Sequence, residues 1–233
     1  MYAVLFDIDG TLVQTGGAGQ LAFAETFAQD FGVAEISAAV KFAGRSDRAI
    51  AMELMEVHGL PTTEENWRRF RSAYLTRLPG ALRRKEGRIL PGVGELLDAL
   101  EALPHPAIGL LTGNVRDGAA HKLDFYGLGS RFAFGGFGDE TNDRCEIAAI
   151  ALAEAERHAT GRLGRKSPLL GAMVIGDTIH DIRCARAIGA LAVAIPTGGS
   201  TRDELAAEGP DILLNDLSDS APLLRVLDEA LAA

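Results

Sequence analysis

An apolar run at residues 2–6 that ends in two carboxylates, Asp7 and Asp9, constrains the fold of this chain most. A continuous apolar run of this length is typical of a strand buried on both faces, as in a parallel sheet covered by helices. Ligands of open α/β sheets bind just outside the carboxyl ends of the strands, where the two acids would lie. Two acids at such a place repel each other unless a cation or a shared proton relieves them.

A divalent metal is the simplest partner for this pair of acids. Mg²⁺ suits one or two carboxylates together with a substrate phosphate. Because Gly10 and Thr11 follow directly, the segment is also compatible with a strand that only ends in an Asx or glycine turn. Read by itself, the segment favours neither interpretation.

The charge and the apolar content of the chain narrow the range of partners. The 233 residues carry a formal net charge of −9, which opposes a phosphate backbone, so we expect no nucleic-acid partner. We find no apolar stretch long enough to cross a bilayer, and residue 1 leads directly into the first predicted strand, without a presequence. We therefore expect a cytoplasmic protein with no membrane partner.

Strand and helix patterns alternate along most of the chain. Apolar runs predict further buried strands at residues 107–111, 172–175, 191–195 and 212–214, with a shorter one at 132–134. Helical patterns lie between them at residues 93–103, 117–126, 144–158, 181–188 and 201–207. This alternation predicts an α/β fold in which helices cover both faces of a parallel sheet.

Residues 14–88 interrupt this alternation with helical periodicity and no convincing strand. Thr62 and Glu65 resemble a capping box at the start of the last helix in this segment. We therefore predict an inserted α-helical domain at 14–88, between the two parts of an α/β core at 1–13 and 89–233. Glycines at both junctions would suit hinges that let the insertion open and close.

A polar turn follows the strand predicted at 107–111. The hydroxyl of Thr112 and the backbone N–H groups of Gly113 and Asn114 can bind phosphate oxygens at a strand-to-helix turn. Read alone, an ordinary turn with a helix N-cap at Asn114 explains the same residues better.

A second pair of acids follows the strand predicted at 172–175. Helix capping explains Asp181 by itself. It explains Asp177 less naturally, because the preceding strand would bring that residue to the same sheet edge as Asp7.

An acidic cluster that handles a phosphoryl group also needs a cation, which neutralises developing charge and restrains the nucleophile. Arg144 opens a predicted helix and is the best-placed candidate, whereas Lys122 and Lys166 are weaker ones. On composition alone, Arg144 is equally an exposed residue at a helix end.

Together these motifs resemble the haloacid dehalogenase-like superfamily, in particular its phosphoglycolate phosphatase-like branch with a helical cap. The family's first motif is matched by Asp7-Ile8-Asp9-Gly10-Thr11, its second by an apolar strand ending in Thr112, and its fourth by Gly176-Asp177-Thr178-Ile179-His180-Asp181. The family usually has a lysine, often followed by proline, where this chain has Arg144 without the proline. Arginine is always charged and binds oxygens in a planar fork, so this position departs from the usual pattern.

The resemblance implies a Rossmann-like sheet, an inserted cap, Mg²⁺ and an aspartyl-phosphate mechanism. In that mechanism, Asp7 attacks phosphorus, and Asp9 protonates the leaving alcohol and then activates water. The resemblance further implies roles for the remaining residues: Asp7, Asp9 (through its carbonyl) and Asp177 would hold the metal, with Asp181 in support; Thr112, Gly113 and Asn114 would hold the phosphoryl group; Arg144 would balance charge.

The resemblance also implies which reaction and substrate to expect. Dehalogenating members lack the carboxylate at the position of Asp9, because a halide leaving group needs no proton, so we expect a phosphomonoesterase for a small phosphorylated metabolite. Arg45 in the cap would meet an anionic group of the substrate, unless it is only a charged residue at a helix start. The alternatives are a phosphotransferase of the β-phosphoglucomutase type, a pyrophosphatase or nucleotidase, and a non-catalytic binding or regulatory module.

Overall fold

The computed structural model describes residues 1–104, 107–139, 141–163 and 169–232. Its strands are β1 (Tyr2–Phe6), β2 (Val13–Gln14), β3 (Arg88–Ile89), β4 (Ala107–Leu111), β5 (Phe134–Gly136), β6 (Gly171–Gly176), β7 (Leu191–Ala194) and β8 (Ile212–Leu213). Its α-helices are α1 (Ala18–Phe31), α2 (Asp47–Val57), α3 (Glu64–Arg84), α4 (Val93–Glu101), α5 (Arg116–Phe125), α6 (Arg144–Leu163), α7 (Ile179–Ala187), α8 (Arg202–Glu208) and α9 (Ala221–Ala232). None of these helices is both long and apolar enough to span a bilayer.

The main sheet has the order β5-β4-β1-β6-β7-β8, and all of its neighbouring strands are parallel. Successive side chains of a strand point to opposite faces. Tyr2, Val4 and Phe6 accordingly join a core with α4, α5 and α9, whereas Ala3 and Leu5 join a core with α6 and α7. The prediction of an α/β fold with helices on both faces is confirmed.

The chain order places the polar motifs at one edge of this sheet. β1 lies between β4 and β6, with Val4 opposite both Ile108 and Met173. Because the three strands are parallel, their carboxyl ends lie side by side. The residues that follow them, beginning with Asp7, Thr112 and Asp177, therefore lie close together.

Helices α1, α2 and α3 form a bundle with its own apolar core. Its buried side chains include Phe23, Phe27, Leu54, Phe70 and Leu78. Burial of such side chains contributes about 1.5–3 kcal/mol each, which favours the helical packing over a solvated segment. The assignment of residues 14–88 as a separate domain stays a prediction.

Some predicted details of this helical segment were wrong. Gln14 and Arg88 belong to strands, because β2 and β3 pair antiparallel where the chain enters and leaves the bundle. Helix α3 has its N-cap at Thr63, whose extended backbone lets the hydroxyl accept a hydrogen bond from the Asn66 N–H (3.2 Å). The predicted capping residue Thr62 lies outside the helix.

Two further differences lie in the sheet region. The short strand predicted at 132–134 is at Phe134–Gly136, because the Phe134 ring packs where the paired Gly109 has no side chain. Helix α9 is absent from the predicted pattern, although Leu223 and Leu227 bury its apolar face against the sheet.

Candidate active site

Asp7 immediately follows β1 and is buried beneath the carboxyl edge of the sheet. Its N–H donates to the Ile175 carbonyl (3.0 Å), which continues the pairing of β1 with β6. Gly10 then reverses the chain with φ +86°, a left-handed conformation that glycine adopts without strain. This turn leaves the partly exposed Asp9 beside the buried Asp7 at the mouth of the site.

Asp177 lies in a close-fitting backbone pocket. Thr11 Oγ1 donates to its Oδ1 (3.2 Å), and the Gly199 N–H donates to its Oδ2. A Cβ atom added at Gly10 would lie 2.5 Å from Asp177 Oδ2, and one added at Gly198 would lie 2.2 Å from it. The carboxylate therefore fits only because both neighbouring positions lack side chains.

Arg144 is buried and connects Asp7 to Asp181. Its guanidinium contacts Asp181 Oδ1 directly and lies 3.5 Å from Asp7 Oδ2. Asp181 Oδ2 accepts from the Thr178 hydroxyl (2.7 Å) and the Thr178 N–H (3.0 Å), so this carboxylate also caps helix α7. The interpretation of Arg144 as an exposed residue at a helix end was wrong. Lys166, a weaker candidate for the cation, lies outside the described residues.

The carboxylates of Asp7, Asp177 and Asp181 suit a hard divalent cation. One oxygen from each lies within 4.8 Å of the others. Burial, with smaller contributions from the charges of Asp181 and Asp9, raises the pKa of Asp7 to about 6 against the lowering effect of Arg144. Burial, then Asp181 and Asp7, raise the pKa of Asp177 well above its usual range. Bringing a dication to this oxygen-only donor set would relieve the repulsion, so the residues fit Mg²⁺.

The turn after β4 lies opposite these acids. The Thr112 hydroxyl accepts from the Asn114 side-chain amide (2.8 Å) and the Asn114 N–H (3.3 Å). The Asn114 amide also donates to Asp9 Oδ2 (2.9 Å). Gly113 and Asn114 line the cavity described below, whereas Thr112 is fully buried behind them.

Lys122, predicted only as a weaker candidate for the cation, lies directly beside Asp9. Its ammonium group lies 2.5 Å from both Asp9 Oδ2 and Asn114 Oδ1, and its side chain is only 5% exposed. Its position in helix α5 could have indicated from the sequence that the side chain is buried. Lys122 follows the buried Gly118 and Ala119 by four and three residues, so it lies on the buried face of the helix.

Asp47, which is not among the predicted site residues, joins the helical bundle to the turn after β4. Its N–H donates to the Gly113 carbonyl (2.8 Å), and its carboxylate accepts from the Val115 N–H (2.9 Å). Burial raises the pKa of Asp47 to about 6, against the lowering effects of Lys122 and the Val115 hydrogen bond.

Arg45 lines the same cavity as Asp7, Asp9 and Asp177 but forms its ion pair with Glu53. Its guanidinium pairs with Glu53 and donates to the Lys41 carbonyl (3.2 Å), within the helical segment. Its own carbonyl oxygen lies 2.3 Å from the place where a Cβ at Gly113 would stand, so Gly113 must lack a side chain.

A cavity of about 520 Å³ separates the sheet edge from the helical bundle. From the predicted site it is lined by Asp7, Asp9, Arg45, Gly113, Asn114, Arg144 and Asp177. The bundle contributes an opposite wall that includes Phe23, Asp47 and Tyr74. The cavity therefore has an acidic half that fits a metal and a phosphoryl group, and a second half formed by helices.

Comparison with known proteins agrees with this fold. The family model described as haloacid dehalogenase-like hydrolase matches residues 4–186. A phosphoglycolate phosphatase of Synechococcus elongatus is 28% identical over 94% of this chain and 95% of its own length. A solved structure described as a predicted phosphoglycolate phosphatase from Haemophilus somnus has a TM-score of 0.69 at 19% identity, covering 95% of this chain and 97% of that one. The structure of CbbY from Rhodobacter sphaeroides in complex with phosphate has a TM-score of 0.64 at 21% identity, covering 94% and 95%.

Proposed function

Because the chain belongs to the haloacid dehalogenase-like hydrolase family, we propose that it is a phosphatase that hydrolyses a small phosphorylated metabolite through phosphorylated Asp7. The observation that supports this best is the pairing of a buried Asp7 with a positioned Asp9. Lys122 and Asn114 fix the Asp9 carboxylate at the cavity, where an ester oxygen would leave. The Synechococcus relative, named a phosphoglycolate phosphatase, agrees with this reaction class.

The first step makes Asp7 the nucleophile. One of its carboxylate oxygens bonds to phosphorus while the bond from phosphorus to the ester oxygen breaks. Asp9 donates its proton to that oxygen, so the product leaves as an alcohol. Arg144, 3.5 Å from Asp7 Oδ2, restrains the nucleophile and balances the charge that develops on the phosphoryl group.

The second step regenerates the enzyme. Asp9, now a carboxylate, takes a proton from water, and the resulting oxygen attacks phosphorus. The bond between phosphorus and Asp7 breaks, inorganic phosphate leaves, and Asp7 returns as a carboxylate. Lys122, paired with Asp9, holds its carboxylate in position for this step.

The metal and phosphate contacts complete the proposal. Asp7, Asp177 and Asp181, with the main-chain carbonyl of Asp9, would hold Mg²⁺, which when bound neutralises phosphoryl charge. Gly113 and Asn114, which line the cavity, would hold the phosphoryl oxygens, and the buried Thr112 would position this turn through its hydrogen bonds with Asn114. Arg45, which lines the cavity, would contribute to substrate selection.

A panel of phosphomonoesters with Mg²⁺ tests the function, run with wild type, Asp7→Asn and a control, Asp219→Asn, which changes an exposed carboxyl. We expect phosphate release from wild type and the control, and a loss of about 1,000-fold or more in Asp7→Asn. No release from any ester by wild type would overturn the hydrolase proposal. Dependence on a bisphosphate activator, with little phosphate released, would favour the phosphotransferase instead. Full activity in Asp7→Asn would exclude Asp7 as the nucleophile.

A further inference from the structure

The wall of the cavity that faces the acids is apolar and aromatic. Phe23, Phe42 and Ile50 line it from the helical bundle. The Phe23 ring packs edge-on against Phe42 (5.2 Å between centroids) and Tyr74 (4.9 Å). This wall offers a leaving group packing surface and few polar partners.

The Tyr74 hydroxyl is one of the polar groups beside these apolar side chains, together with Gln20 and Asp47. It is buried and has no hydrogen-bond partner among the described residues, although a buried hydroxyl usually finds one. A Cβ atom added at Gly19, which also lines the cavity, would lie 4.0 Å from this hydroxyl and 3.7 Å from Lys122 Nζ. Burial, then Asp47 and Asp9, raise the pKa of Tyr74 well above its usual range, so the hydroxyl keeps its proton.

Charge on this side of the cavity disfavours a second anion. Among the described residues that line it from the bundle and α5, the cations are Arg45 and Lys122. Glu53 neutralises Arg45, and Asp9 pairs with Lys122. The Asp47 carboxylate adds further negative charge. A carboxylate or second phosphate on the leaving group would therefore meet no unpaired cation here.

We propose that Tyr74 and the Phe23–Phe42–Ile50 wall form a leaving-group subsite for an uncharged, hydroxyl-bearing alcohol, whose hydroxyl bonds to Tyr74. This inference rests on the proposed phosphatase function and names the substrate class within it. It excludes esters with a carboxylate in the leaving group as preferred substrates. Tyr74 is then a specificity-determining residue. The hydroxyl of the substrate supplies the hydrogen-bond partner that the Tyr74 hydroxyl lacks among the described residues.

Three matched esters test the proposal: 2-hydroxyethyl phosphate, ethyl phosphate and 2-phosphoglycolate. They have the same two-carbon length and differ in a hydroxyl, a methyl or a carboxylate group. For wild type, we expect kcat/KM for 2-hydroxyethyl phosphate to exceed that for ethyl phosphate by about 10-fold, the ratio that one net hydrogen bond supplies. We expect 2-phosphoglycolate to be poorer still.

Tyr74→Phe removes the hydroxyl and keeps the ring. We expect it to abolish the preference for 2-hydroxyethyl over ethyl phosphate, because kcat/KM falls further for the hydroxyl-bearing ester than for ethyl phosphate. Tyr126→Phe is the matched control, because its buried hydroxyl also lacks a partner among the described residues but does not line the cavity. It should keep the wild-type preference.

Two results would overturn the proposal. One is preferred hydrolysis of 2-phosphoglycolate by wild type, and the other is an equal loss for all three esters in Tyr74→Phe, which would indicate a packing role. Both results leave phosphate release in place. They are therefore distinct from failure of the phosphatase proposal, in which no ester is hydrolysed.

Discussion

Lys122 Nζ and Asp9 Oδ2 lie 2.5 Å apart, although 113 residues separate them in the chain. Burial lowers the pKa of Lys122, but Asp9 and Asp47 outweigh it, so the net pKa is raised and the side chain stays charged. An ammonium ion buried to this degree is costly unless paired. The ion pair therefore fixes the position of Asp9 and offsets the cost of burying the Lys122 ammonium group.

Lys122→Met should impair phosphate release without removing any group that touches phosphorus. The variant keeps an unbranched side chain but leaves Asp9 held by Asn114 alone. Because positioned acid–base groups contribute about 100-fold or more, we expect kcat to fall by about 100-fold. Steady-state phosphate release measures it.

Lys85→Met is the control for this experiment, because Lys85 is exposed at the end of α3. It should retain the wild-type rate. Equal rates for Lys122→Met and wild type would show that Lys122 does not position Asp9.

Arg144→Ala should lower the free energy of unfolding as well as the rate of phosphate release. It leaves Asp7 and Asp181 buried without their shared cation. Removing one partner of a buried pair costs about 3–5 kcal/mol in the free energy of unfolding, which urea titration measures.

Arg144→Lys separates charge from geometry at the same position. An ammonium group restores the charge but not the planar fork that reaches two carboxylates. We expect it to recover part of the stability and less of the activity. Complete recovery of both by lysine would contradict a requirement for arginine here.

The sequence predicted the sheet and its acidic edge because both follow from local patterns. The apolar run before Asp7 and the one before Asp177 are continuous in the chain. Parallel pairing of the two strands then places both acids at the same edge of the sheet. Lys122 was underrated because its value depends on the distance to Asp9, which only the folded chain sets. Asp47 was missed for the same reason, since its partners are backbone groups of a distant turn.

Gly198→Ala should weaken the response to Mg²⁺. The added Cβ would lie 2.2 Å from Asp177 Oδ2, so the carboxylate must move. Displacing a proposed ligand in this way should raise the Mg²⁺ concentration for half-maximal activity by about 10-fold or more. The increase in Tm on adding Mg²⁺ should shrink in parallel.

Gly80→Ala is the matched control, because a Cβ at that position in α3 meets nothing within 4 Å. It should raise stability by about 0.5–1 kcal/mol and leave the Mg²⁺ response unchanged. An unchanged response in Gly198→Ala as well would argue against Asp177 as a ligand.

Asp47→Asn should change how stability depends on pH. Because the pKa of Asp47 is raised from 3.8 to about 6, the folded protein binds this proton more tightly than the unfolded chain. Its contribution to stability is therefore greatest at low pH, falls as pH rises from 3.8 to about 6, and stays low above that.

The asparagine variant removes this penalty and keeps an oxygen for the Val115 N–H. Relative to wild type, we expect it to gain stability between about pH 4.5 and about pH 7.5, by up to about 3 kcal/mol. Urea unfolding at both pH values measures the difference, with Asp219→Asn as a control. A constant difference across this range would contradict the raised pKa.

The contacts of Asp177 determine when the site can exist during synthesis. Its carboxylate needs both Thr11 and the Gly199 N–H, and Gly199 is synthesised much later than Thr11. Until β6 joins β1, the Asp7 N–H has no Ile175 carbonyl to donate to. A nascent chain therefore carries its proposed nucleophile without a complete site around it until Gly199 has left the ribosome.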